Sequence, residues 1–245
     1  MGRTCIFCQS DGPMSKEHTF PAWLQAVFPA SEFGPPRARF FQGDLEGPPY
    51  ADFPISGVAT QSYRAVCVGC NTGWMAGLEG RCRPQVTEMA TGHPGRLEMP
   101  DQIQLATWAV KTAMVCEMTL ADPRPLFDQT DRDLVRTEVR PPASVLVRVA
   151  AYEGRDGPLA YFKVVATVQR GAAHVGDLVF HTLKIGCLVL QVAAGPPRDD
   201  WSTHALGVPG NVQFPIFLPL RDRDWPPDAV LNDDTFALFR VPPSS

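Results

Sequence analysis

Two Cys-x-x-Cys pairs constrain this chain more than any other feature: "CIFC" at residues 5–8 and "CVGC" at residues 67–70. A CxxC turn presents two thiolates to one ion, and zinc takes four soft ligands at the corners of a tetrahedron. Cys5, Cys8, Cys67 and Cys70 together make one closed Zn2+ site. No position is left open for a substrate, so this zinc is structural. It pins the N-terminus to a segment remote in sequence and turns everything between into a loop. The chain has seven cysteines, and the other three, Cys82, Cys116 and Cys187, are solitary. An odd number with this pairing suits a reducing cytoplasm and a metal better than a disulfide framework.

Between the pairs lies "SKEHTFPAW", in which Glu17 and His18 stand side by side, and Asn71 directly follows Cys70. If one ion clamps both pairs, a turn carrying Glu17 and His18 comes near the start of the helix carrying Asn71. A carboxylate and an amide carbonyl are hard oxygen donors of the kind Mg2+ or Mn2+ accepts. An imidazole beside them can deprotonate a water as general base, while the metal neutralises phosphate charge. Acid, base and metal-holding amide in one place suit phosphodiester hydrolysis. Each residue also has a plainer reading. A lone Glu-His pair ordinarily just faces solvent, and Asn71 at this position can cap the helix.

The pattern C-x2-C … E-H … C-x2-C-N resembles the HNH endonuclease family in its zinc-stapled ββα-metal (treble-clef) form. It is similar in particular to the phage Holliday-junction resolvases of the endonuclease VII type. "KEHTFPAWL" looks like the EH-x-x-P turn of that family, and "CNTGWMAGLE … LATWAVKTAMV" is similar to bacterial HNH-like proteins. The likeness covers about the first half of the chain. It implies that Glu17 and Asn71 hold the catalytic divalent ion, that His18 is the general base, and that the four cysteines hold zinc. No histidine stands on the helix after Asn71. Glu79, about two turns further along, is in register to replace it as an oxygen ligand. The preferred reading of Glu79 is an exposed residue paired with Arg83 at i+4. Trp74 stands where many family members carry Lys or Arg, and it is read as packing into the core. Arg64, Arg81 and Arg83 surround the second CxxC and are candidates for phosphate contacts, or ordinary solvent-facing charges. His93, His174, His181 and His204 lack partners at ligand spacing and are read as structural or surface residues.

The expected fold class is α+β: an N-terminal zinc-bound ββα-metal module over residues 1–98, then a long helix and an antiparallel β-sheet over 99–245. Within the first part, residues 29–62 are rich in Gly, Pro and Phe. They read as a long insertion with one or two short strands, of a length that is usually functional or mobile. "PAWLQAVF" reads as a short helix with Pro21 in its first turn. Trp74, Leu78 and Cys82 repeat on one face of a helix over 72–83, and "QVTEMATG" reads as its continuation after a break at Pro84. The apolar positions over 100–121 predict a buried central helix, with Trp108, Met114 and Met118 as core. "SVLVRVAAYE", "LAYFKVVATVQR", "DLVFHTLKIGCLVLQVA" and "NVQFPIFLPL" predict strands. The tail "VPPSS" reads as loose.

The net charge of −4 weighs mildly against a nucleic-acid partner, though a local basic patch can still bind one. No run is long and apolar enough to span a membrane, and the N-terminus has no signal-peptide pattern, so a cytoplasmic location is expected. The leading expectation is a metal-dependent endonuclease acting on DNA. The competing one is an inactive binding or regulatory protein on the same zinc scaffold. An enzyme for a small phosphorylated substrate is a third. The role of residues 141–245 is open between protein contacts, homo-oligomerisation and substrate selection.

Overall fold

A computed structural model describes residues 4–29, 37–40, 51–54, 62–118, 126–155, 157–170, 173–195, 213–217 and 221–240. Most of the 29–62 insertion, His204 and the tail "VPPSS" fall outside these residues. Strand β1 (Met14–His18) is followed by a short helix α1 (Leu24–Val27). Two insertion strands, β2 (Arg37–Phe40) and β3 (Ala51–Pro54), then pair with each other. Strand β4 (Ser62–Cys67) returns antiparallel to β1, with Met14 opposite Cys67 and His18 opposite Ser62. Between Ser15 and Glu17 the register slips, so Arg64 and Ala65 stand against Lys16 alone. Such a bulge re-aims side chains locally.

The chain passes directly from β4 into a helix. A short first turn, α2 (Val68–Cys70), leads through a wide turn at Asn71–Met75 into α3 (Ala76–Ala90). Gly73 departs from helical dihedrals there (φ −92, ψ −111). The helix continues past Pro84 without the expected break. Pro84 faces solvent, and its missing N–H orphans the carbonyl of Gly80, which is exposed and has open space around it. Water can serve that carbonyl, and no side chain crowds the proline ring. Leu78, Cys82, Val86 and Met89 form the buried stripe of α3.

Strand β5 (Gly95–Leu97) precedes the central helix α4 (Met99–Glu117). Every residue from Leu105 to Glu117 is buried, so α4 is packed on all sides. Trp108 and Met114 are core, as expected. Met118 is not: it is 49 % exposed. The helix ends one residue earlier, where the Glu117 carboxylate accepts from Leu126 N and Phe127 N and pairs with Arg132 Nη2 at 2.8 Å. These bonds fold the chain back and turn Met118 outward. Arg132 comes from α5 (Gln129–Glu138), a polar helix capped by Asp128 that the sequence pattern did not reveal.

The expected sheet forms from β6 (Leu146–Ala151), β7 (Leu159–Arg170), β8 (Ala173–Ile185), β9 (Leu188–Ala194) and β10 (Phe214–Phe217), in the antiparallel order β10-β6-β9-β8-β7. The stretch read as one strand from residue 177 is two, divided at Gly186. Gly186 has φ +56, and a Cβ there would lie 2.2 Å from Ala90 O and 2.5 Å from Phe28. Only glycine fits this point, where the β8–β9 turn seats the end of α3 through Cys187 N to Ala90 O at 2.8 Å. Strand β11 (Arg223–Trp225) pairs with β5. A last helix, α6 (Asp233–Ala237), starts with a capping box between Asn232 and Thr235 and lays Phe236 against Tyr152 and Phe162 on the far face of the sheet. One hydrophobic cluster runs from Phe7 and Leu24 through Trp108 to Leu190, so the ribbon module and the sheet share a core along α4. Among the described residues no helix is long and apolar enough to cross a membrane.

Candidate functional site

The first CxxC folds as a tight turn. Gln9 N donates to Cys5 O at 2.9 Å and Cys5 N to Ser10 O at 3.0 Å, with Gln9 in the left-handed region (φ 57). Ile6 N reaches Ala65 O across to β4 at 3.0 Å. Phe7 drops into the core and meets the Trp74 ring edge-on, with centroids 5.1 Å apart. Trp74 therefore packs as expected. The second CxxC sits at a helix start: Cys67 is the N-cap residue, and its Sγ accepts from Cys70 N at 3.4 Å. A helix N-terminus favours negative charge, which suits thiolates.

The four sulfurs lie within 4.8 Å of one another, and none is in a disulfide. Cys8 Sγ is 3.5 Å from Cys67 Sγ. Burial pushes the Cys5 and Cys70 thiols up, while the Ser10 hydroxyl and the local backbone hold Cys8 down at about 6. Four adjacent thiolates need positive charge among them. A dication supplies it, and four sulfurs with no oxygen donor are the chemistry of structural zinc. The cluster can hold a metal ion and is compatible with that assignment.

About three residues along β1 from this clamp, the chain buries a charge. Glu17 Oε1 accepts from Lys111 Nζ at 2.9 Å, with side-chain exposures of 8 % and 2 %. Lys111 is the only charged residue of α4 between Asp101 and Glu117. His18, next to Glu17, is half-buried, and its Nδ1 is enclosed with no hydrogen-bond partner. Trp23 Nε1 is likewise without a bond of regular geometry, although it lies close enough to Glu79 to act on that carboxyl. Glu79 belongs to this group. Burial raises its pKa, with the Lys111 ammonium pulling the other way and Glu17, Trp23 and His18 contributing less. The expected Glu79–Arg83 pair is not formed. Arg83 instead stacks on Trp23, 5.5 Å from the ring centroid, and Glu79 turns inward.

Asn71 is held elsewhere. Its Nδ2 donates to Ser15 Oγ at 2.6 Å, tying the helix start to β1 two residues before Glu17. Of the two oxygen donors expected to share a divalent ion, Glu17 is engaged by an ammonium, whereas the Ser15 bond takes the Asn71 N–H and leaves its carbonyl oxygen unengaged. Among the described residues the four cysteines are the only group of three or more His, Cys, Asp or Glu side chains close enough to hold a metal. The feature that opposes a bound Mg2+ or Mn2+ beside Glu17 is the buried Lys111 ammonium already paired with it. Arg64, Arg81 and Arg83 are exposed, on β4 and on the outer side of α3. His93 is exposed, whereas His181 is fully buried and bonded to Tyr161 Oη at 2.8 Å.

Lys111 and Trp23 are the participants that sequence reasoning missed. The signal for Lys111 was present as a lone charge in an otherwise apolar helix, which in a buried position needs a partner. Its partner could not be read from local spacing. No family model matches this chain, and no curated protein or solved structure matches it either.

Proposed function

We propose that the protein is a phosphodiester hydrolase acting on DNA, built on a zinc-stapled ββα module of the HNH type. Two antiparallel strands followed by a helix whose first turn carries two of four clustered cysteines support the treble-clef reading. The observation that carries the catalytic reading is His18: its Nδ1 is enclosed and unpartnered, and it follows Glu17, the partner of Lys111, directly on β1. A buried polar atom left without a partner calls for an explanation in a ligand, a water or chemistry.

In this reading His18 takes a proton from the attacking water. Glu17, held by Lys111, sets the electrostatics around the ring. The buried Lys111 ammonium holds Glu17 from behind and does not itself reach a substrate phosphate. Arg64, Arg81 and Arg83 offer exposed guanidinium groups for the DNA backbone. A divalent ion would supply further charge neutralisation, but no step here depends on one. The test is a plasmid-nicking assay with purified zinc-loaded protein. His18→Ala is expected to lower cleavage about 100-fold or more, the scale of a general base. Undiminished cleavage in that variant removes His18 from the mechanism.

The second reading is a DNA- or protein-binding scaffold without hydrolysis. The satisfied Glu17–Lys111 pair favours it, because a complete buried ion pair also serves a purely structural role. Titrating DNA against salt separates the two. Binding with a steep salt slope and no nicking under any cation supports the scaffold.

A further inference from the structure

We propose that Lys111 is the resident cation of this site and excludes a divalent ion from Glu17. The inference rests on reading Glu17 and His18 as the reactive locus, but its evidence is separate from any cleavage. Lys111 Nζ stands 2.9 Å from Glu17 Oε1, and both side chains are more than nine-tenths buried. An ammonium has three N–H donors, and Glu17 is the single acceptor found for this one. The same ammonium also acts on the half-buried Glu79 carboxyl nearby.

Burying an isolated ammonium in such a place is costly, and the attraction of a carboxylate at hydrogen-bond distance offsets it. A magnesium or manganese ion at Glu17 would stand in the ammonium's place and meet its repulsion. The Ser15 bond takes only the Asn71 N–H and leaves its carbonyl oxygen unengaged, so the ammonium, not a shortage of oxygen donors, is what keeps the ion out. The helix that carries Lys111 is buried along its length from Leu105 to Glu117, so the ammonium cannot swing aside into solvent to admit an ion. The second half of the chain thereby contributes a positioning residue to a site otherwise built from the first.

Mn2+ is the probe, titrated into the full zinc-loaded chain, with free Mn2+ read by electron paramagnetic resonance. The wild type and Lys111→Arg are expected to leave Mn2+ free. Lys111→Met removes the ammonium from beside Glu17 at similar side-chain length and is expected to bind Mn2+ at least tenfold more tightly than wild type. Glu17→Gln in the Lys111→Met background is expected to abolish that gain. One Mn2+ per wild-type chain, lost in Glu17→Gln, overturns the inference while leaving the hydrolase reading intact. A folded Lys111→Met that gains no Mn2+ also overturns it. If Lys111→Met does not fold, the wild type and Lys111→Arg alone decide. Absence of nicking with and without Mn2+ bears on the hydrolase reading and leaves this one untouched.

Discussion

The cysteine-clamped ribbon and the five-stranded sheet secure themselves by different means. The ribbon β1–β4 has only two strands, and an isolated pair of strands is marginal in water. Its order comes from the cysteine cluster and from docking on α4. The sheet is covered on both faces, by the α4 side and by the Phe236 layer. The candidate site therefore lies on the part with the least core of its own. Glu17 and His18 keep their places only while the clamp and α4 hold them.

Removing the clamp should break this contrast most sharply. A zinc ion held by the four cysteines would be lost in Cys67→Ser or to a chelator, and with it a binding energy that for structural zinc in small domains is about 10 kcal/mol or more. Hydrogen exchange should then lose protection over β1, β4 and α2 while β6 to β9 stay protected. Equal loss in both regions would show that they do not differ as described. Trp108→Ala strikes the shared element instead. Emptying this site should cost about 3–5 kcal/mol, lowering the denaturation midpoint of ribbon and sheet together. A shift confined to one of them would contradict a common core.

Gly186→Ala tests the seam between the regions. The new methyl meets the Ala90 backbone at a left-handed residue, and the strain should cost about 1–3 kcal/mol. Faster exchange at the end of α3 would report it, and an unchanged midpoint would argue against the close seat. His181→Gln is the mildest change near neutral pH and probes the sheet alone. Burial holds His181 down at about 3 against its usual 6.5. The folded protein thus stays unprotonated there while the unfolded chain takes up a proton. Above pH 6.5 the group contributes no pH dependence, and between 6.5 and 3 it removes about 1.4 kcal/mol of stability per pH unit. The variant keeps an acceptor for Tyr161 and should lack that part of the acid slope. Parallel pH–stability curves for the two proteins would place the titration elsewhere.

Much of this was legible where the signal is local. The CxxC spacing announced the cluster, the apolar periodicity announced α3 and α4, and β-branched runs announced β6 to β9. What stayed hidden depends on how elements meet. The i,i+4 rule favours Glu79 with Arg83, but stacking on Trp23 takes Arg83 away and burial next to Lys111 takes Glu79. Met118 continues the apolar pattern of α4, yet Glu117 ends the helix through bonds to Leu126, Phe127 and Arg132. Helix α5 is polar over most of its length and turns inward mainly through Arg132 and Val135, so apolar periodicity gave it no mark. The pairing of Glu17 with Lys111 joins residues far apart in sequence that only the packing of α4 across the ribbon brings together.

Metal content is the most direct measurement of the central claim, which is that four cysteines from two distant turns close on one ion and so fix the strand bearing Glu17 and His18. Elemental analysis of protein purified without added metal should find about one zinc per chain, and Cys67→Ser should lose it. A wild-type protein that is folded and carries no transition metal would contradict the account.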